Sequence, residues 1–409
     1  MKDKLRFYLS QMSERLWVKP LLVCLLSIAV AFVAQTVDQF AILKQVPEVK
    51  LESIEMLLKV ISASMLVMAV FTVGSMLAAY QSASSSATPR TFTLVVSDDV
   101  SQNALSTFIG AFIFSITAQV ALLNGYYEKA GRFTLFVITI LVFALVILSF
   151  IRWVDGIARL GRLSTTISKV EKAAGEALRR RKDKPLLGGI KAEQLTDGLP
   201  VFATSVGYLQ RIDMDLLQAA AEKAKGYIEV AVLPGVFVTL DRPLAYLRGN
   251  LDDSDTASII KAFCIGKNRT FDDDPRFGLV TLSEIASRAL SPAVNDPGTA
   301  IEIAGVFVRL FTELAQEPTK KEEPCVDYDR VAIPELPVRD MFEDAFNSIA
   351  RDGAGTIEVV ILTHVGNEPM VKAAFECAGL VKEHAEQALQ VPSEIAKLHA
   401  VSKFVPSTE

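Results

Sequence analysis

The chain has 409 residues, too many for one small domain, and 51% of them are apolar, with a mean hydropathy of +0.34. A net charge of −5 carries no global basic excess and argues against a nucleic-acid partner. The four cysteines, Cys24, Cys264, Cys325 and Cys377, form no CxxC pair, so neither a disulfide framework nor a zinc site is expected, which suits a reducing cytoplasm.

The apolar residues crowd into the first 150 or so positions and the charges follow Arg152. A helix crossing a bilayer needs roughly 20 mainly apolar residues. Four stretches qualify, at about 17–37, 57–80, 104–127 and 133–151. The fourth carries no charge, whereas Glu52, Glu55 and Lys59 crowd the start of the second. Trp17, Tyr80, Tyr126, Tyr127 and Trp153 stand at span ends, where amphipathic rings favour the headgroup layer. Lys2, Lys4, Arg6, Arg15 and Lys19 precede the first span, and Arg152, Arg159, Arg162 and Arg179 to Lys182 follow the fourth. By the positive-inside rule both termini of this multi-pass protein are expected to face the cytoplasm. The first span is too long for a signal-peptide core and lacks a convincing cleavage site.

At 100° per residue, Ser64, Ser75, Ser82 and Ser86 share one face of the second span. Asn103, Ser106, Gly110, Thr117 and Asn124 share one face of the third. Spans two and three are therefore expected to form the inner layer, with span four outside. Two readings of the stripes stay open: close helix packing through small residues, with Gly74–Ala78 and Ser75–Ala79 at the small-xxx-small spacing, or a wet path lined by hydroxyls in an oligomer. No ionisable residue lies centrally in any span, which disfavours proton-coupled transport. The run Gln81 to Arg90 continues the serine face of span two as a helix until Pro89 stops it.

Ile157 to about Lys184 reads as an amphipathic connector helix. Its Arg179–Arg180–Arg181–Lys182 run marks topology first and anionic headgroups second. A mixed α/β stretch follows: a strand over Phe202 to Ile212, a helix capped by Asp213, strands at Tyr227 to Leu233 and Val236 to Thr239 around Pro234–Gly235, a helix near Asp255 to Lys261 and a strand at Phe263 to Ile265. Asp274–Pro275 and Asp296–Pro297 each read as an N-cap followed by a first-turn proline. Beyond Gln316 come a charged loop, a strand at Val326 to Ile333, a helix from Val338 to about Arg351, a strand at Thr356 to Thr363 and mixed-charge helix over Lys372 to Leu398.

The fold class expected is thus an α-helical membrane domain of four transmembrane helices, then a cytoplasmic α/β (α+β) domain with a small β element. Its parts are 1–153 (membrane), 154–189 (basic connector helix), 190–316 (α/β domain) and 317–409 (C-terminal α/β subdomain).

Several segments carry a family likeness. They are Ser82 to Arg90; Gly207–Tyr208–Leu209–Gln210–Arg211–Ile212–Asp213; Pro234–Gly235–Val236–Phe237–Val238; Ile265–Gly266–Lys267–Asn268–Arg269–Thr270 with Asp274; and Arg288–Ala289–Leu290–Ser291–Pro292–Ala293–Val294–Asn295–Asp296–Pro297. In these the chain resembles the bacterial predicted membrane proteins grouped as domain of unknown function 2254, as far as about Leu314. It departs at Ser84–Ser85–Ser86–Ala87–Thr88–Pro89–Arg90, where SSQFSPR is expected, so no role for an aromatic carries over. The resemblance implies four spans in a bacterial inner (cytoplasmic) membrane and a cytoplasmic domain, and no activity.

Catalysis finds little support. The three histidines, His364, His384 and His399, lie outside the dense polar segment, and no HExxH, GxSxG, GxGxxG or Walker pattern occurs. Asp272–Asp273–Asp274 reads as a solvated turn before a cation site. No catalytic residue, metal or cofactor is expected. The leading expectation is a homo-oligomeric channel or pore-like protein in the lipid bilayer, with a cytoplasmic regulatory ring and Ser64, Ser75, Ser82, Ser86, Ser106, Thr117 and Asn124 lining the path of an ion. The other is a non-conducting sensor or scaffold. Its cytoplasmic domain binds a small anionic ligand or a protein partner through Arg269, Thr270, Asp274, Arg288, Asn295 and Asp296, because arginines and helix N-termini favour anions. An ion-pair network among the same residues is the structural alternative.

Overall fold

In the computed structural model, which describes residues 17–36, 46–96, 99–157, 159, 162–192, 198–249, 253–316, 326–356, 379 and 381–401, all four apolar stretches are helical. They are α1 (Val18–Thr36), α2 (Leu51–Ser86), α4 (Asp99–Leu123) and α5 (Lys129–Ile157), with a short α3 (Phe92–Val96) before α4. Each is long and apolar enough to cross a membrane. The 36 residues of α2 rise about 54 Å, well beyond a hydrocarbon layer of about 30 Å. The serine run therefore does continue the helix, to Ser86, before a 3₁₀ turn at Pro89–Thr91 whose entry is capped by the Thr88 hydroxyl. The chain divides into two compact units, Lys2–Thr166 and Ile167–Glu409.

The first unit is organised around α4. Half of its most apolar stretch is buried, against 28% for α2, 17% for α5 and 11% for α1. Spans three and two are thus the two most buried of the four, with span four more exposed. Glycines set the close approaches. A methyl group on Gly110 would come within 2.4 Å of Val23 on α1, and one on Gly156 within 2.8 Å of Val100 on α4. Trp153 is 2% exposed and stacks edge-on with Phe71 and Phe108. Tyr80 and Tyr127 are buried too, and Tyr127 donates through Oη to the Ala31 carbonyl at 2.8 Å. These three rings are buried in the bundle, while Trp17 and Tyr126 are exposed.

The second unit takes in α6 (Leu163–Asp183) from Ile167 onward. A five-stranded sheet in the order β1-β8-β4-β6-β2 joins Gly189–Lys191 (β1), Tyr328–Ile333 (β8), Tyr227–Val230 (β4), Pro243–Arg248 (β6) and Leu199–Phe202 (β2). Strand β8 runs parallel to β1 and β4, and β6 is antiparallel to β4 and β2. A three-stranded antiparallel sheet places β3 (Gly207–Ile212) between β5 (Phe237–Val238) and β7 (Phe263–Gly266). The expected single strand over Phe202 to Ile212 is therefore two strands in different sheets, with exposed Thr204, Ser205 and Val206 between them. Helices α7 (Met214–Lys223) and α8 (Asp253–Ala262) share a core with the strands around Leu209, Leu217, Ile228, Leu244, Ile259 and Val331.

Helices α9 (Phe277–Ala289), α10 (Pro297–Ala315) and α11 (Val338–Asp352) complete this unit, joined in part by an aromatic group of Phe307, Phe311, Phe342 and Phe346. Helix α6 packs onto them. Its apolar stripe Ile167, Val170, Ala174, Ala177 and Leu178 is buried, Ala174 lies against Gly278, and Gly175 lies against Leu310. Asp213 caps α7 by accepting from the Leu216 N–H, as expected of it. The strand expected at Thr356 to Thr363 lies outside the described residues apart from Thr356. Helical backbone over 381–388 and Pro392–Val401 accounts for the described part of the expected Lys372 to Leu398 helix.

Candidate functional site

The dense polar segment folds around Asp274. Strand β7 pairs with β3 and so sets Gly266 to Thr270 beside Gln210 and Arg211, with the Gln210 amide donating to the Asn268 carbonyl at 2.7 Å. The Pro234–Gly235 turn is tied to β3 as well. Gly235 N–H donates to Leu209 O at 2.7 Å, and Leu209 N–H to Val236 O at 2.9 Å. Gly235 adopts φ +97°, and a methyl group there would lie 2.4 Å from an Asp274 carboxylate oxygen, so only glycine fits. Three of the family-resembling segments therefore meet at one place.

Asp274 is 1% exposed and accepts four hydrogen bonds. Arg269 grips it in a fork, Nε at 2.7 Å and Nη2 at 3.0 Å, and the N–H groups of Arg276 and Phe277 reach it at 3.1 and 3.2 Å. Burial pushes its carboxyl above the usual range, against the pull of Arg269 and the two N–H groups. The first turn of α9 is thus served by a carboxylate from just outside the helix, although the N-cap position itself is Arg276. Arg269 also lies 5.1 Å from the centre of the Phe277 ring. Arg276 turns the other way and pairs with Asp344 at 2.5 Å and Asp340 at 2.7 Å on α11. Burial alone would lower its pKa, but the two carboxylates outweigh this and hold it above the usual arginine value.

Helix α6 brings the remaining cations. Arg180 donates to the Asp272 carbonyl, Arg179 pairs with Glu313 at 2.6 Å, Lys182 donates to the Glu313 carbonyl and Lys184 pairs with Asp327. Three of the four cations of the run, Arg179, Arg180 and Lys182, are thus engaged within their own unit. Arg181 is 8% exposed. Its Nε and Nη1 are buried with no hydrogen-bond partner among the described residues. Burial draws its pKa down to about 10, with Asp273 and Asp274 nearby drawing it up, so it is a buried cation at neutral pH.

The sequence-expected ligand residues fall into two groups. Arg269, Thr270 and Asp274 stand before the N-terminus of α9; Thr270 Oγ1 is buried with no partner among the described residues. Arg288, Asn295 and Asp296 stand at its other end, about 18 Å along the helix. Arg288 and Asn295 are exposed, and Arg288 stands in the last turn of α9, at the opposite end from Asp274. Asp296 caps α10, accepting from the Thr299 N–H at 3.2 Å and its hydroxyl at 2.6 Å, and these bonds hold its carboxyl below the usual range. Asn295 takes the left-handed φ of +49° that turns the chain into this cap. Arg180, Arg181, Arg211, Gly235, Arg276, Asp340 and Asp344 were not singled out in the sequence as site residues. A signal for Arg181 was present: it continues the 3.6-residue stripe Ile167, Val170, Ala174, Ala177/Leu178.

In the membrane unit the hydroxyl faces are largely self-satisfied. Ser64 donates to Val60 O at 2.6 Å, Ser75 to Phe71 O at 2.9 Å, Ser106 to Gln102 O at 2.7 Å, and the Asn124 amide to Val120 O at 2.7 Å. Ser106 is buried, whereas Ser64 and Asn124 are exposed and Ser75 and Thr117 are intermediate. Ser82 is exposed and engaged in an interaction of its own; for Ser86 the structure describes the backbone alone. Ser64 stands among the exposed apolar residues Val60, Val67 and Phe71. A methyl group on Gly74 would meet nothing within 4 Å among the described residues, so Gly74 marks no close helix approach there.

Among curated proteins the chain is similar to an uncharacterized protein of Mycobacterium bovis and to uncharacterized proteins of two Mycobacterium tuberculosis strains, H37Rv and CDC 1551. Each is 34% identical over 113 residues, which is 26% of this chain and 22% of the relative, so the match spans less than a quarter of each relative's length. No solved structure matches. The family described as predicted membrane protein, domain of unknown function 2254, matches residues 13–364, which reaches 50 residues past Leu314. Four apolar spans, a following α/β unit and a family match over most of the length agree, and the chain belongs to the domain of unknown function 2254 family of predicted membrane proteins.

Proposed function

We propose that this protein is a non-conducting, non-enzymatic membrane-anchored sensor or scaffold. Its four spans sit in the bacterial cytoplasmic membrane, with both termini and the unit after Thr166 in the cytosol. One observation carries the reading: the span hydroxyls of Ser64, Ser75 and Ser106 donate to carbonyls of their own helices, and Ser64 stands on an apolar face. Hydroxyls spent in this way satisfy themselves within hydrocarbon and need no water path. The scaffold form is favoured over the ligand-binding form, because Arg269 and Asp274 are committed to each other. The channel reading keeps one support. Ser64 faces outward on α2, so several copies side by side would bring their hydroxyl faces together around an axis. Planar-bilayer recording of the purified protein tests the choice. The sensor reading predicts no unitary conductance under voltage, tension or added anionic metabolites; reproducible single-channel steps overturn it in favour of the homo-oligomeric pore.

A further inference from the structure

Helix α2 outruns the apolar layer it crosses. The Trp153 ring stacks edge-on with Phe71, their centres 5.8 Å apart, and the exposed Arg152 beside it is the first charge after the apolar run of α5. The hydrocarbon layer therefore ends near the level of Phe71. Past that level α2 continues to Ser86, about 22 Å further at about 1.5 Å per residue. No charged residue occurs between Lys59 and Arg90. The outward face of this extension is Val73, Gly74, Leu77, Ala78, Gln81 and Ser82, all of them exposed, Leu77 at 66%. A helix face in water ordinarily carries charge, and this one carries none. A face in lipid carries bulky apolar chains, as α5 does with Leu141, Leu145, Leu148 and Ile151. Here small and polar side chains alternate with Val73 and Leu77, which is the composition of a helix contact.

We propose that this face of α2 is where two copies of the chain meet, side by side and in parallel, about a two-fold axis along the membrane normal. Three properties of the face select a second copy. It is uncharged, so a charged partner would lose its water there with nothing to pair to. The Gln81 amide both donates and accepts, so the face complements itself when a two-fold axis repeats it. Gly74 has nothing within 4 Å among the described residues and Ala78 follows one turn on, so a second backbone can approach closely, with Leu77 of each copy packed against the other. The pairing is independent of whether the spans conduct, because two helices in contact enclose no path.

Disulfide trapping of the full chain in native membranes tests the face. With Cys24, Cys264, Cys325 and Cys377 replaced by serine, Ala78→Cys and Ser82→Cys are each expected to give a covalent dimer on oxidation. A disulfide closes only when the two Cα atoms lie about 4.4–6.8 Å apart, so a dimer reports a close approach. Leu141→Cys, on the lipid-type face of α5, is expected to give none. Ala78→Leu added to Ser82→Cys wedges the helices apart and abolishes the dimer. No dimer at 78 or 82, an equal yield at 141, or a dimer that survives Ala78→Leu overturns the proposal. Capture of a different protein at 78 and 82 in place of the dimer overturns it too. Native mass spectrometry of the unsubstituted chain released from lipid nanodiscs guards against a variant that misfolds. Two copies per particle are expected; one copy, or three or more, overturns the proposal.

Discussion

Asp274 and Asp296 look alike in the sequence, each ahead of a helix and each followed by proline, yet burial separates them. Asp274 is sealed beneath Gly235 and committed to Arg269, whereas Asp296 is partly exposed and caps its helix through Thr299. Asp274→Ala strands Arg269 beside an apolar ring and is expected to cost about 3–5 kcal/mol. Asp296→Ala removes one cap and costs about 1 kcal/mol, most of it restored by Asn. Chemical denaturation of the three variants checks the ranking; equal losses contradict it. The pH dependences have opposite signs. Burial raises the Asp274 carboxyl, so between its ordinary and its folded value the folded state holds the extra proton, and stability falls as pH rises through that window. The Asp296 carboxyl is lowered, so its contribution is present above the ordinary carboxylate range and is lost as pH falls through its folded value. Thermal melts of Asp274→Asn and Asp296→Asn against the parent chain, taken across the acidic range, show each slope vanishing in its own variant. The capping role of Asp296 was legible, because a cap depends on residues three apart in sequence. The fork from Arg269 fell within the expected pairings, but the seal by Gly235 and the approach of Arg181 were not legible, because strand pairing and the docking of α6 bring those residues in from afar.

At the scale of elements, the connector helix shows how a local pattern can be read correctly and its destination missed. The amphipathic stripe of α6 was plain, and the structure buries it against Gly278 and Leu310. The basic run at its end looked available to lipid only because its acceptors, Glu313, Asp327 and the Asp272 carbonyl, lie about 90 to 140 residues away. The apolar seam outweighs the ion pairs around it: Arg179–Glu313 and Arg309–Glu171 are largely exposed and each contributes under about 1 kcal/mol. Arg179→Ala is therefore expected to change stability little. Gly278→Val, which drives a side chain into Ala174, costs at least about 1–3 kcal/mol. In the membrane unit Gly110→Leu forces α1 away from α4 at Val23. Disulfide trapping between cysteines placed at Ser27 and Thr107 or Ala111 falls in that variant if the close approach is real, and is unchanged if it is not. The spans themselves were readable to within a few residues at α1 and α4. The long N-terminal overhang of α2 was hidden because Glu55 and Lys59 pair with each other and let the helix begin at Leu51, ahead of its apolar stretch.

At the scale of the whole molecule, two units of different solvent preference follow one another in a single chain, and family membership spans both. The division was legible because hydrocarbon and water select such different compositions. The sheet order of the second unit was not, since β8 enters between β1 and β4 from more than 90 residues away. The account turns on which side of the membrane that unit occupies. Cys264, in β7, is exposed, and burial of its surroundings pushes its thiol up, so labelling is run at mildly alkaline pH. In a chain with Cys24, Cys325 and Cys377 replaced by serine, a membrane-impermeant maleimide is predicted to leave Cys264 unlabelled in intact spheroplasts and to label it in inverted vesicles. Labelling in intact spheroplasts, before any permeabilisation, would contradict the account.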